Sequence, residues 1–338
     1  MKKVIAKDKL PALWERLAGE GKLYVPVEEG PVVMFKPWEE GIKVDLEQVN
    51  TAVPPKDLFL PREETFMQYY CDSYKIKIDA VETIEDMVLF GIHPCDLKAV
   101  EMLDKVFIEG DPPDELYRER REKTTVVALA CSEPDPYCFC NLFSIDPQEA
   151  PGADVVAGFS DDSLIMESQT GKGENLLKLA ADLLEDGTNL ERKKEEVKTT
   201  DFGLDLKGLG KDLKDRFDDP VWDELYQACL GCGTCTYVCP TCYCFDVEDF
   251  GHEYKGVRFR CWDSCMYGHF TIMAGGHNPR PSQKERVRQR FLHKLQYYPE
   301  AYGETACVGC GRCLRNCPVN LDIVQAIKAL GGESVEQR

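Results

Sequence analysis

Long apolar runs are missing from this 338-residue chain. It has no stretch of eighteen or more apolar residues, so an ordinary membrane-spanning helix is excluded. The N-terminal MKKVIAKDKLPALWERL is charged and lacks the apolar centre of a secretory signal. Basic residues are few: 41 Lys and Arg stand against 60 Asp and Glu, a formal net charge of −19. Phosphate binding needs basic surface, so nucleic acid is not an expected partner. GxGxxG, GxSxG and HExxH are absent, and with them the usual marks of dinucleotide, serine-hydrolase and zinc-protease sites. The chain is 43% hydrophobic, enough for a sizeable core and for two domains.

Cysteine, by contrast, is abundant. Seventeen cysteines without an export signal point to reduced thiolates used as metal ligands in a cytoplasmic, anaerobic setting. Cys229, Cys232, Cys235 and Cys239 follow C-x-x-C-x-x-C-x-x-x-C and precede Pro240. Cys307, Cys310, Cys313 and Cys317 repeat the spacing before Pro318. A single C-x-x-C fits zinc or a redox dithiol, whereas two full runs with both prolines fit a pair of 4Fe–4S clusters. In such pairs the fourth cysteine of each run serves the other cluster. The expected ligand sets are therefore Cys229, Cys232, Cys235 and Cys317 for one cluster, and Cys307, Cys310, Cys313 and Cys239 for the other.

Hydrophobic patterning divides the chain near residue 215, into an α/β domain (1–215) and an α-helical two-cluster ferredoxin domain (216–338). A helix is expected over 8–18, with Asp8 as its cap. MVLFGI (87–92) and TVVALA (125–130) read as buried strands, and DLKAVEMLDKVF (96–107) as an amphipathic helix between them. That succession predicts a βαβ unit with parallel strands. Further strands are expected at 154–159 and 163–167 and a helix near 174–186. The charge-rich stretch 190–219 reads as a connector. Helices are expected at 221–228, 283–303 and 321–330, flanking the cysteine runs. The 66 residues between Pro240 and Cys307 exclude the compact hairpin form of ferredoxin. Six basic residues between Arg280 and Lys294 face one acid, Glu285. They read as a solvated face, a docking face, or a local offset for the negative charge of thiolate-bound clusters.

Nine cysteines remain. Cys95 follows the first parallel strand and Cys131 the second, so both fall at one edge of the sheet. The YCFC turn adds Cys138 and Cys140. These four are expected to hold a third 4Fe–4S cluster, with a four-cysteine zinc site as the rival reading and buried structural cysteines as another. Asp96 is a candidate cap for the following helix. Cys242, Cys244, Cys261 and Cys265 form a candidate fourth cluster, with zinc or buried structural thiols as alternatives. Cys71 is left as a buried apolar residue. His93, His269 and His277 lie near cysteines and read as hydrogen-bond partners rather than ligands.

GIHPCDLKAVEMLD, RREKTTVVALAC, YCFC, CPTCYCFD and CWDSCMYGHFTIMAGGHNPR together resemble the iron–sulfur dicluster subunit shared by cytoplasmic sulfhydrogenases and anaerobic sulfite reductase. The resemblance runs from about residue 20 to the C-terminus. It implies a subunit of a hetero-oligomer, carrying electrons between a flavin subunit that uses NAD(P)H and a separate catalytic subunit. That catalytic subunit is nickel–iron, sirohaem or heterodisulfide-reductase-like in the related complexes. The expected function is thus electron transfer within a soluble oxidoreductase complex. The alternative is a redox enzyme in which one of the extra cysteine sites binds substrate directly.

Overall fold

The computed structural model describes residues 1–19, 21–72, 74–80, 84–192, 197–204, 206 and 213–331. The chain forms two units. One comprises Met1–Pro55, Glu85–Gly203 and Cys307–Arg315; the other comprises Lys56–Ile84, Leu204–Ala306 and Asn316–Arg338. No single cut near 215 separates them: the segment 56–84 belongs with the C-terminal unit, and three cysteines of the second run belong with the N-terminal one. Parts of the connector at 193–196, 205 and 207–212 lie outside the described residues.

Elements are numbered along the chain. The first unit contains β1 (Lys2–Ala6), β2 (Lys22–Glu29), β3 (Val32–Pro37), β6 (Met87–Ile92), β7 (Thr124–Leu129), β8 (Val155–Ser160), β9 (Ser163–Ser168) and β10 (Glu185–Asp186). They build one sheet in the order β10-β1-β9-β8-β7-β6-β2-β3. The central strands β2, β6, β7 and β8 run parallel, and the flanking pairs are antiparallel. A strand covered on both faces needs apolar side chains at successive positions, and MVLFGI and TTVVAL supply them. Helices α1 (Leu10–Ala18) and α4 (Gly171–Leu179) cover one face, through Leu13, Trp14, Leu17, Leu176 and Leu177 against Phe90, Val127 and Leu129. Helices α2 (Pro94–Phe107) and α3 (Glu115–Lys123) pack on β7, and Phe107 stacks on Tyr117 at 4.9 Å. The parallel βαβ unit is as its apolar runs predict.

Two helix starts differ from expectation. Asp8 does not cap α1; it lies in a 3-10 turn (Lys7–Lys9), and Lys9 occupies the cap position without a side-chain bond. Helix α4 begins at Gly171, because Thr170 accepts a hydrogen bond from the Gly173 amide at 3.3 Å and thereby caps it. A side chain at Gly173 would place its Cβ 2.0 Å from the Asp154 carbonyl. The glycine lets the first turn of α4 press against the start of β8.

The second unit contains β4 (Glu63–Asp72), β5 (Lys75–Ala80), β11 (Phe245–His252) and β12 (Lys255–Trp262), an antiparallel sheet ordered β11-β12-β4-β5. The segment between the cysteine runs therefore carries a hairpin, where only helices were expected. Helices α5 (Val221–Leu225), α6 (Thr234–Tyr237), α7 (Gln283–Leu292), α8 (Tyr298–Tyr302) and α10 (Ile323–Leu330) belong to this unit; α9 (Arg312–Arg315) belongs to the first. A capping box, in which the Glu285 carboxylate accepts from the Ser282 amide at 2.8 Å, opens α7. A π-helical turn (His293–Tyr297) joins α7 to α8. Asp322 caps α10 by accepting from the Val324 and Gln325 amides at 2.8 and 3.0 Å. Caps of this kind stabilise a helix by about 1 kcal/mol each.

Candidate iron–sulfur sites

In the first unit the parallel strands end side by side. The chain leaves β6 through Gly91 (φ 94°), where the register with β7 shifts, and enters α2 at Pro94. Cys95 thus stands in the first turn of α2, where the positive end of the helix favours a thiolate. Cys131 follows β7, and Cys138 and Cys140 come from the turn beyond it. All four are buried. Burial is the main cause that pushes each thiol pKa up, Cys140 to about 12. Cys95 feels the charges of Cys310, Cys140 and Cys131, and Cys131 those of Cys140 and Cys138. Dry thiols that crowd one another are costly to ionise unless a metal centre binds the thiolates, and this donor set fits one.

The surrounding polar groups point at sulfur. Asn50 donates to Cys138 Sγ at 3.2 Å and to the Cys310 carbonyl at 2.9 Å. His93 Nδ1 lies 3.0 Å from the Leu129 carbonyl and 3.3 Å from Cys131 Sγ, a hydrogen-bonding role as expected. Burial lowers the pKa of this ring and keeps it neutral. Asp96 does not cap α2, since His93 holds the cap position; Asp96 instead receives Arg312.

Arg312 lies within the second cysteine run, and the part of that run from Cys307 to Arg315 adjoins this site inside the same unit. Phe139 donates its amide to Gly309 at 2.8 Å. Gly309 (φ 62°) and Gly311 (φ 76°) take backbone angles that favour glycine, and a Cβ on either would lie 2.6 Å and 2.3 Å from the backbone of Phe139 and Tyr137. The YCFC turn and the Cys307–Cys313 loop are therefore pressed together main chain to main chain.

In the second unit the first run folds around Gly231 and Gly233, both at positive φ. Cys229 Sγ accepts from Gln283 at 3.1 Å and from the Gly231 amide at 3.4 Å. Burial raises the Cys235 thiol, Arg290 opposes this, and Cys229, Cys239 and Cys232 act on it in turn, so the four thiols of the run converge. Cys232 is exposed, and its bond with Thr234 lowers its pKa. Cys317 accepts from the Leu321 amide at 3.2 Å, just before α10.

The other cysteines of this unit separate. Cys242 interacts directly with Cys239, drawing the Cys239 thiol well below and its own well above the ordinary value. Cys265 likewise bonds to Cys244, whose thiol falls to about 7. Cys242 and Cys244 both act on Cys265. Cys261, however, pairs across the sheet with Glu63 and Asp246, and after burial the strongest influences on it are carboxylates, Glu248 first. The structure thus brings Cys239, Cys242, Cys244 and Cys265 together and stations Cys261 elsewhere. Cys71 sits half-buried on β4 opposite Ile76, not in a core. His269 lies 3.5 Å from Asp263, and the His277 carbonyl accepts from the Met273 amide. Among the described residues, no group of three or more His, Cys, Asp and Glu side chains is arranged to hold a single metal ion.

Sequence reasoning overlooked Asn50, Lys56 and Arg312. Of these only Arg312, between two cysteines of a run, carried a local signal. Lys56 donates to the carbonyls of Cys239 and Cys242 at 2.8 and 2.7 Å and lies over the Trp262 ring at 4.2 Å. Lys294 donates to Cys239 Sγ at 3.3 Å, to Thr241 Oγ1 at 2.8 Å and to the Ala306 carbonyl at 3.1 Å. A groove of about 880 Å³ beside α1, lined by Trp14, Trp38 and Phe159, contains no cysteine.

The paired runs define an iron–sulfur protein of the two-cluster ferredoxin class, built for electron transfer. The 4Fe–4S dicluster domain family matches residues 228–321. Over 325 residues the chain is 33% identical to the sulfhydrogenase 2 subunit beta of Pyrococcus furiosus, with 94% of each chain covered. No solved structure matches. The chain belongs to the family of sulfhydrogenase beta subunits.

Proposed function

We propose that this chain relays electrons within a hetero-oligomeric, cytoplasmic oxidoreductase, between a flavin subunit that uses NAD(P)H and a separate catalytic subunit of the hydrogenase, sulfite reductase or heterodisulfide-reductase-like kind. The observation that carries the reading is the paired cysteine runs, within a likeness over 94% of the chain to a sulfhydrogenase beta subunit. When bound, 4Fe–4S clusters take up and release single electrons. The chain's own part is to hold them. The eight cysteines of the runs ligate two clusters, and Cys95, Cys131, Cys138 and Cys140 ligate a third. Asn50, His93, Gln283 and the Leu321 amide offer hydrogen bonds to the sulfurs and so set how readily an electron is accepted. Among the described residues no helix is long and apolar enough to cross a membrane.

Two measurements test this. Iron analysis of the anaerobically purified chain distinguishes about eight, twelve or sixteen irons, for two, three or four clusters. Affinity purification from the native cell identifies the partners. Turnover of hydrogen, sulfite or NAD(P)H by the isolated chain would overturn the relay reading.

A second reading has one observation in its favour. Cys261 stands apart from Cys242, Cys244 and Cys265. A cluster held by those three thiolates alone leaves one iron open to a substrate. Binding of a small anion to the purified protein, read as a change in one cluster's EPR signal, would support it.

A further inference from the structure

Burying an ammonium or guanidinium group is costly unless its charge is answered. Among the described residues of the second unit, Arg260 is buried against the Glu64 carboxylate, whereas Lys56, Arg290 and Lys294, each at most 4% exposed, are buried beside cysteines. All three act on thiols. Arg290 acts on Cys235 and Cys265, while Lys294 and Lys56 act on Cys239, Cys242 and Cys244. Two of the cations, Arg290 and Lys294, belong to the basic stretch 280–294. For these two the stretch is neither a solvated nor a docking face; it turns inward.

Lys294 makes the most direct contact. It sits on the π-helical turn between α7 and α8, and its Nζ donates to Cys239 Sγ at 3.3 Å. Bonds to Thr241 Oγ1 and to the Ala306 carbonyl hold the ammonium there. Lys56 approaches the same loop from elsewhere in the unit and ties the carbonyls of Cys239 and Cys242. Wide π turns of this kind are frequent at functional sites.

We propose that Lys294, supported by Lys56, sets the reduction potential of the cluster that Cys239 ligates. Reduction adds one electron and one negative charge to a centre that four thiolates already make anionic. A fixed cation with an N–H···S bond stabilises the reduced form more than the oxidised form, so the potential is higher than thiolate ligation alone would give. Lys294 is a positioning residue: it acts through the Cys239 sulfur.

The inference rests on the iron–sulfur reading above, and its test separates the two. Full-length protein, purified anaerobically with its clusters, is titrated with dithionite and followed by EPR. In Lys294→Met one cluster's midpoint is expected to move to more negative potential while the remaining signals hold. Lys294→Arg, which keeps charge and donor, is expected to stay close to the wild type. Lys56→Met is expected to move the same signal in the same direction by less. Unchanged midpoints in Lys294→Met at full iron content would overturn the proposal. If Lys294→Met loses iron, Lys294→Gln supplies a neutral donor; a negative shift there supports the proposal and an unchanged midpoint overturns it. Iron loss in both neutral variants, with Lys294→Arg fully loaded at wild-type potential, marks a purely structural role and also overturns it. Wild-type protein without cluster iron would instead defeat the underlying reading.

Discussion

Arg312 grips Asp96 with both arms of its guanidinium, Nη1 to Oδ1 at 2.6 Å and Nη2 to Oδ2 at 2.7 Å, although 216 residues separate them. Both side chains are almost fully buried. Arg312 also donates to the Thr51 carbonyl and hydroxyl at 2.8 and 3.0 Å. Burial works against the guanidinium's charge, but Asp96 and the Cys310 thiol outweigh it and raise its pKa further. The pair fastens the loop of the second cysteine run to the helix turn that carries Cys95.

Breaking that pair should be severe. Arg312→Ala leaves a buried carboxylate unanswered and is expected to cost about 3–5 kcal/mol of folding stability. The double replacement Arg312→Met with Asp96→Leu removes both charges and should be much milder. Denaturant unfolding of the two variants checks this; equal losses would show that the charge pair is not the source.

Gly309 should tolerate no side chain. Gly309→Ala combines a left-handed backbone with a Cβ 2.6 Å from Phe139 main-chain atoms, an expected cost of about 2–5 kcal/mol. Gly30 also has positive φ but nothing within 4 Å of its added Cβ, so Gly30→Ala should cost only about 1–2 kcal/mol. Thermal unfolding of both separates close approach from backbone angle. Iron per chain should fall only for the Gly309 variant.

Serine scanning should divide the Cys242–Cys265 set. Cys265→Ser is expected to lower iron content or alter one EPR signal, whereas Cys261→Ser should leave both unchanged. A loss of iron in Cys261→Ser would return that residue to the ligand set.

His293 should give the folded protein a pH dependence of its own. Burial, then Lys294 and Arg280, lower its pKa from 6.5 to about 4. Its Nε2 lies 3.0 Å from the Tyr243 hydroxyl. The folded state keeps the ring neutral where the unfolded chain protonates it, so stability is full above pH 6.5 and falls as pH drops toward 4. Below about 4 both states are protonated and the slope from this group vanishes. The contribution is on the order of 3 kcal/mol. Unfolding measured at pH 7 and pH 5 should show a smaller difference in His293→Gln than in the wild type.

The parts legible in the sequence were those fixed by local pattern. Continuous apolar runs at 87–92 and 125–130 announced the central parallel strands, and strand direction then placed Cys95 and Cys131 on one edge. Cysteine spacing announced the dicluster domain. What stayed hidden depends on partners distant in sequence. Two strands of the second sheet, Lys75–Ala80 and Phe245–His252, are largely exposed on both faces, so neither shows the one-sided alternation of a half-buried strand. Cys261 matched its neighbours in spacing, but its place on β12 turns it toward carboxylates. Lys56 carried no motif at all, being a single lysine in a proline-flanked turn.

The π-helical turn at His293–Tyr297 has a consequence for lineage. An α-helix advances about 100° per residue, so one extra residue in a turn resets the phase of everything after it. Here Phe291 before the turn and Tyr298 after it are both buried, and Lys294 within it meets Cys239. A relative one residue shorter in this stretch would swing a different side chain toward the sulfur. Helix length at that point, more than the identity of any single residue, would then decide whether the cysteine meets a cation.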